Sequence, residues 1–113
     1  MDYNKVKKEI LAFRDERDWG QFHNPKDLAT AISIEASELQ EKFLWKSQED
    51  SYSIGKNDLE VQNEFADIMI FMMMFAEECW IDVEKSIFKK IEQNKKKYSV
   101  EKSKGKSNKY NTL

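Results

Sequence analysis

Cysteine, histidine, proline and glycine are all scarce in this chain. One cysteine, Cys79, stands alone among 113 residues, so no disulfide can close within the chain, and the composition suits a reducing compartment. The single histidine, His23, leaves too few ligands for an ordinary zinc cage of Cys and His. One proline and three glycines are too few for the many tight turns of a β-sandwich, so long helices are expected. An excess of either charge is also missing. Nineteen basic residues face 21 acidic ones for a net charge of −2, which argues against a protein that coats nucleic acid. The most apolar stretch, Phe65 to Ile81, is too short to span a bilayer and carries Asp67, Glu77 and Glu78. The start, Met1-Asp2-Tyr3-Asn4-Lys5, has no apolar signal-peptide core. A cytoplasmic protein is expected, with neither nucleic acid nor membrane as a partner.

What remains is enough to fold. Hydrophobic residues make up 40% of the chain and aromatic residues 12%, sufficient for one domain with one modest core. Val6, Ile10 and Phe13 repeat at i, i+4 and i+7 among charges, which predicts a first helix from Asp2 to about Asp18. The segment from Asp18 to Pro25 breaks that period. Asn24 is placed to cap a second helix with Pro25 at its first position, running to about Trp45 with Leu28, Ile32, Leu39 and Phe43 on one side. Lys46 to Lys56 is polar and aperiodic and is expected to be a loop. Asn57, with Glu60 three residues on, resembles a capping box and starts a third helix that is apolar nearly all round from Phe65 to Ala76. Asp82 caps a fourth helix ending near Tyr98, with Val83, Ile87 and Ile91 inward.

These elements predict an all-α protein, a four-helix bundle protomer. Residues 1–98 form the domain and 99–113 a Lys/Ser-rich C-terminal tail, extended or mobile. The third helix has more apolar surface than its short partners can cover, so assembly into a homo-oligomer is expected.

Four acidic residues sit where apolar ones belong. Glu35 and Glu38 are neighbours on the second helix, and Glu35 lies on the stripe through Leu28, Ile32 and Leu39. Glu64 and Asp67 repeat the arrangement among Val61, Phe65, Ile68 and Phe71. One such pair alone reads as a solvated face. Two pairs embedded in apolar stripes call for compensation, because an unpaired buried ion costs several kcal/mol. Neither helix offers an Arg or Lys within its stripe, which leaves a hard divalent cation with oxygen ligands, Mg²⁺ or Mn²⁺. A di-iron bundle would need Glu-x-x-His pairs, and the one histidine lies outside the helices. Oxygen-only, helix-borne carboxylates suit metal chemistry on phosphates.

Glu35-x-x-Glu38, 25 residues, then Glu64-x-x-Asp67 resembles the signature of the MazG-like, all-α nucleoside triphosphate pyrophosphohydrolases. The run from Phe13 to Leu28 resembles the dCTP pyrophosphatase branch, as do Glu41-Lys42-Phe43-Leu44-Trp45, Asn94-Lys95-Lys96-Lys97-Tyr98 and the late Lys109-Tyr110. The resemblance implies a homo-oligomeric, Mg²⁺-dependent enzyme that cleaves a (deoxy)nucleoside triphosphate, dCTP or a modified dCTP, between the α- and β-phosphates and so cleanses the nucleotide pool. A tetramer is favoured, with a dimer the alternative. Carried over by position, Glu35, Glu38, Glu64 and Asp67 are implied as metal ligands, with Glu38 and Glu35 as candidates to handle the attacking water. Trp19, His23 and Trp45 are implied to line the base and sugar pocket, and Lys90, Asn94, Lys97 and Tyr98 to meet phosphate or sugar. Phe71 stands where the family carries a tyrosine near the sugar, which leaves deoxy/ribo discrimination open, and Ser99 replaces a proline.

Other readings of single residues remain. An aromatic at a helix end, such as Trp19 or Trp45, often just closes a core; Trp80 reads as core or interface; the methionines at 69 and 72–74 read as adaptable packing. A dUTP or broad dNTP pyrophosphatase is the alternative within enzymes. A non-catalytic helical interaction module is the alternative outside them.

Overall fold

Helix caps decide where this chain turns. In the computed structural model, which describes all 113 residues, six α-helices and two 3₁₀ turns account for the regular structure. Helix α1 spans Tyr3–Glu16, with the Asp2 side chain accepting from Lys5 N–H at 3.2 Å. Helix α2 spans Pro25–Glu41, with Asn24 Oδ1 accepting from Asp27 N–H at 2.9 Å and Pro25 in the first turn. Both starts follow from side chains that satisfy orphan N–H groups. A 3₁₀ turn, Trp19–Phe22, joins the two helices.

The expected loop at 46–56 is instead helix α3, Gln48–Asn57. Ser47 caps it by accepting from Asp50 N–H at 3.1 Å, and Glu49 and Asp50 lie at the positive end of the helix dipole. A ten-residue helix anchored by Ile54 alone shows too little apolar repeat to be read as one. In consequence Asn57 does not open the next helix. Its side chain donates to the Ser53 carbonyl at 3.0 Å, and Asp58 caps α4, Leu59–Glu78, by accepting from Glu60 N–H at 2.9 Å. Asp82 caps α5, Val83–Lys97, as the sequence implies. The segment expected to be an extended tail holds α6, Val100–Ser103, and a 3₁₀ turn at Tyr110–Thr112. The four-helix count is thereby corrected to six.

Two compact units divide the chain, Met1–Trp80 and Ile81–Leu113. In the first, α2 and α4 form the most extensive interface. Its core is Ile10, Leu28, Met73 and Met74, flanked by Tyr3, Val6, Ile70, Phe71 and Phe75. Leu28 is 1% exposed. Ion pairs from Lys7 to Glu77 (2.8 Å) and Arg14 to Glu78 (3.2 Å) tie α1 to the C-terminal end of α4.

The register of α2 on α4 is antiparallel and regular. Leu28 packs in the cluster with Met74, Glu35 meets Asp67, and Lys42 pairs with Glu60. Each step is seven residues forward on α2 and seven back on α4. Seven residues are close to two helical turns, so each helix keeps one face on the seam.

The apolar girdle of α4 is only partly covered. Val61, Met73, Met74 and Ala76 are buried, whereas Phe65, Met69 and Met72 are exposed. In the second unit Ile87, Phe88 and Ile91 are exposed on α5.

Candidate metal centre

The seam between α2 and α4 brings three of the four expected carboxylates together. Glu35 from α2 and Glu64 and Asp67 from α4 each place a carboxylate oxygen within 4.8 Å of the others. The spacing produces this directly. Glu64 and Asp67 are three apart on one face of α4, and Glu35 lies opposite them in the antiparallel register. Glu38 stays exposed and outside the tight group, but its charge and hydrogen bonding still act on Glu35.

Burial makes the cluster costly. Glu35 Oε2 and Glu64 Oε2 are both shielded from solvent, and neither has a hydrogen-bond partner. When both carboxylates are ionised no donor is available to them, and a proton held between the two supplies one. That hydrogen bond to Glu64 comes first among the causes that push the Glu35 carboxyl up to about 7, followed by burial and by the charge of Glu38. Two orphaned buried oxygens in an all-oxygen donor set fit a hard divalent cation, which satisfies lone pairs and charge together.

An aromatic series runs toward this cluster. Phe13 meets Trp19 edge-on (centroids 5.6 Å apart), Trp19 meets His23 (6.3 Å), and His23 meets Phe71 (6.5 Å). Phe71 lies one turn beyond Asp67 on α4. Arg17 sits 4.0 Å over the Phe13 ring and braces the outer end. His23 Nδ1 is buried without a hydrogen-bond partner, a polar atom left free in a ring that meets Trp19 and Phe71. Trp45, by contrast, stands in solvent, 92% exposed, at a left-handed φ of 61°.

Residues 30–113 match the family model described as MazG-like. The chain belongs to the MazG-like family. Among the relatives of this MazG-like protein, dCTP pyrophosphatase 1 of Rattus norvegicus is 35% identical over 104 residues and that of Homo sapiens 33%, in each case over 89% of this chain. The chain spans 61% of the length of these curated relatives. A crystal structure of a pyrophosphatase from Archaeoglobus fulgidus superposes with a TM-score of 0.82 at 32% identity, covering 88% of this chain and 94% of that one. No helix of the MazG-like chain is long and apolar enough to cross a membrane.

The remaining substrate-site residues expected from the sequence lie in the second unit. Lys90 is exposed and Asn94 half-buried on α5. Asn94 accepts from Tyr98 N–H at 2.8 Å through its backbone carbonyl. Tyr98 meets Tyr110 edge-on at 6.2 Å, and Lys97 Nζ lies 5.0 Å from the Tyr110 ring centroid. Ten lysines face four carboxylates across this unit of the MazG-like chain, a field that attracts polyanions.

Two expectations change. Of the two readings of Trp80, core or interface, the core falls: it is 94% exposed at a left-handed φ of 54°. A basic residue does stand in the carboxylate stripe, since Lys42, just past the end of α2, bonds Glu60. The signal for it was present, because Lys42 follows Glu35 by two turns.

Proposed function

We propose that this protein is a metal-dependent nucleoside triphosphate pyrophosphohydrolase. It takes (deoxy)nucleoside triphosphates, foremost dCTP or a modified dCTP, to the monophosphate and pyrophosphate. The observation that carries the reading is the Glu35–Glu64–Asp67 cluster, with its two buried oxygens lacking any donor. These three residues, with Glu38 beside them, would hold Mg²⁺ or Mn²⁺. When bound, such an ion neutralises phosphate charge and lowers the pKa of coordinated water.

The chain's own residues do the rest. The Trp19 face and His23 Nδ1 bind and orient base and sugar. Trp45, held out in solvent, is a second stacking surface. Lys90, Asn94, Lys97 and Tyr98 receive phosphate oxygens or sugar hydroxyls. Glu38, exposed and outside the tight group, orients the attacking water and accepts its proton as the water oxygen bonds to the α-phosphorus. The bond from the α-phosphorus to the bridging oxygen breaks, and pyrophosphate departs with that electron pair.

The exposed Phe65, Met69 and Met72 repeat at i, i+4 and i+7 along α4, which supports assembly of identical chains, a tetramer by preference. Light scattering behind gel filtration reads this directly: a monomer at micromolar concentration would contradict it.

The reaction is tested by incubating the purified protein with each dNTP, CTP and UTP, with and without Mg²⁺, and resolving the products. Metal-dependent release of monophosphate and pyrophosphate is expected, with dCTP ranking first. Orthophosphate as the primary product would refute the proposed bond cleavage. A broad ranking across bases would favour a general dNTP pyrophosphatase.

A further inference from the structure

We propose that Lys42 is a fixed cation of the carboxylate site: it screens the acidic cluster in the metal-free protein and thereby weakens, by a set amount, the binding of divalent metal. The inference rests on the metal-binding reading of Glu35, Glu64 and Asp67.

The placement follows from the helix register. Lys42, the C-cap of α2, lies two turns beyond Glu35, and its half-buried side chain bonds Glu60 across the seam. Glu60 lies one turn before Glu64 on the same face of α4. The ammonium is thus held at the edge of the acidic group by a partner on the opposite helix. Three acidic residues act on it. The hydrogen bond to Glu60 holds the Lys42 ammonium above its ordinary pKa, and the charges of Glu60, Asp58 and Glu64 act in the same direction.

A positive charge in that position does two opposite things. In the metal-free site it reduces the mutual repulsion of the carboxylates. Toward an incoming dication it is repulsive, and it offsets part of the negative field that attracts the metal. Both effects are Coulombic and fade as salt rises. A cation within about a Debye length of a dication in a largely solvated setting changes its affinity on the order of three- to tenfold. A metal site that retains bound phosphate products too tightly turns over slowly, so moderated affinity serves a hydrolase.

The test is calorimetric titration of the full chain with Mg²⁺ and with Mn²⁺ at low and high ionic strength, alongside thermal melts in EDTA. Lys42→Met keeps the aliphatic stem and removes the charge. Its metal affinity should rise about three- to tenfold at low salt, with the gap narrowing at high salt, and its metal-free Tm should fall. Lys42→Arg keeps the charge and should restore both values to those of the original protein. An unchanged affinity in Lys42→Met would reduce the bond to Glu60 to an ordinary surface ion pair and overturn the proposal. Weaker binding in Lys42→Met would overturn it too, by showing that Lys42 shapes the site rather than opposing the metal's charge. If the unmodified protein binds neither ion, the metal reading itself fails, an outcome distinct from both.

Discussion

Glu35 and Glu64 each aim one buried oxygen into the seam between α2 and α4, and neither oxygen finds a hydrogen-bond partner. Two carboxylates sharing a shielded space cannot both ionise without loss, so the pair is unstable in isolation and receptive to a cation. The feature that weakens the metal-free fold is therefore the one that recruits metal.

Glu35→Gln separates these two consequences. The new amide can donate to Glu64, so the metal-free protein should melt higher in EDTA than the original. The stabilisation by Mg²⁺ should shrink or vanish. Turnover should fall at least about a hundredfold, since metal charge stabilisation is worth several kcal/mol. Mg²⁺-dependent turnover within tenfold of the original would remove Glu35 from the ligand set.

The pH dependence follows from the same group. The Glu35 carboxyl, ordinarily at 4.5, is held up at about 7 in the folded chain. The folded state therefore keeps a proton that the unfolded state has released. This contribution to stability is complete below about 4.5 and is lost as pH rises through about 7. Melts in EDTA should show this loss across that window, and the Glu35→Gln protein should not. Metal binding has the opposite trend, because the ion must displace the proton, so Mg²⁺ affinity should drop as pH falls below about 7.

Trp19 offers a test on the substrate side. Its ring makes T-shaped contacts with Phe13 and His23 and stays 42% exposed, so part of it is open to a stacking base. Trp19→Ala should raise KM about 5- to 160-fold, matching the roughly 1–3 kcal/mol typical of base–aromatic stacking. Trp19→Phe should recover most of it. An Ala variant with unchanged KM and reduced kcat would place the ring in the chemistry rather than in binding.

Leu28 tests the core that supports the site. It is almost fully buried, in the cluster with Met73 and Met74, two turns before Glu35. Leu28→Ala should cost about 2–5 kcal/mol in urea unfolding through lost burial and a residual cavity. Mg²⁺ should recover part of that loss if the metal-bound site and the core fold together.

Much of this protein is legible in its residues alone. The all-helical class, the caps at Asn24 and Asp82, and the acidic pairs Glu35/Glu38 and Glu64/Asp67 within apolar stripes depend on local propensity and helical period, which a sequence displays directly. Helix α3 did not announce itself, because a short capped helix with one anchoring isoleucine carries almost no period. The apolar spacing of the second helix continues to Trp45, four residues past Glu41, where the backbone leaves the helix. For Trp80 the residues leave core and interface both open, and only the folded chain, where it is 94% exposed, removes the core. The tertiary structure alone decided which carboxylates lose water, that Lys42 reaches Glu60, and that Phe13, Trp19, His23 and Phe71 stand in line. Those facts depend on how two helices are registered against each other, and desolvation, charge pairing and ring contact are properties of that register, not of either helix by itself.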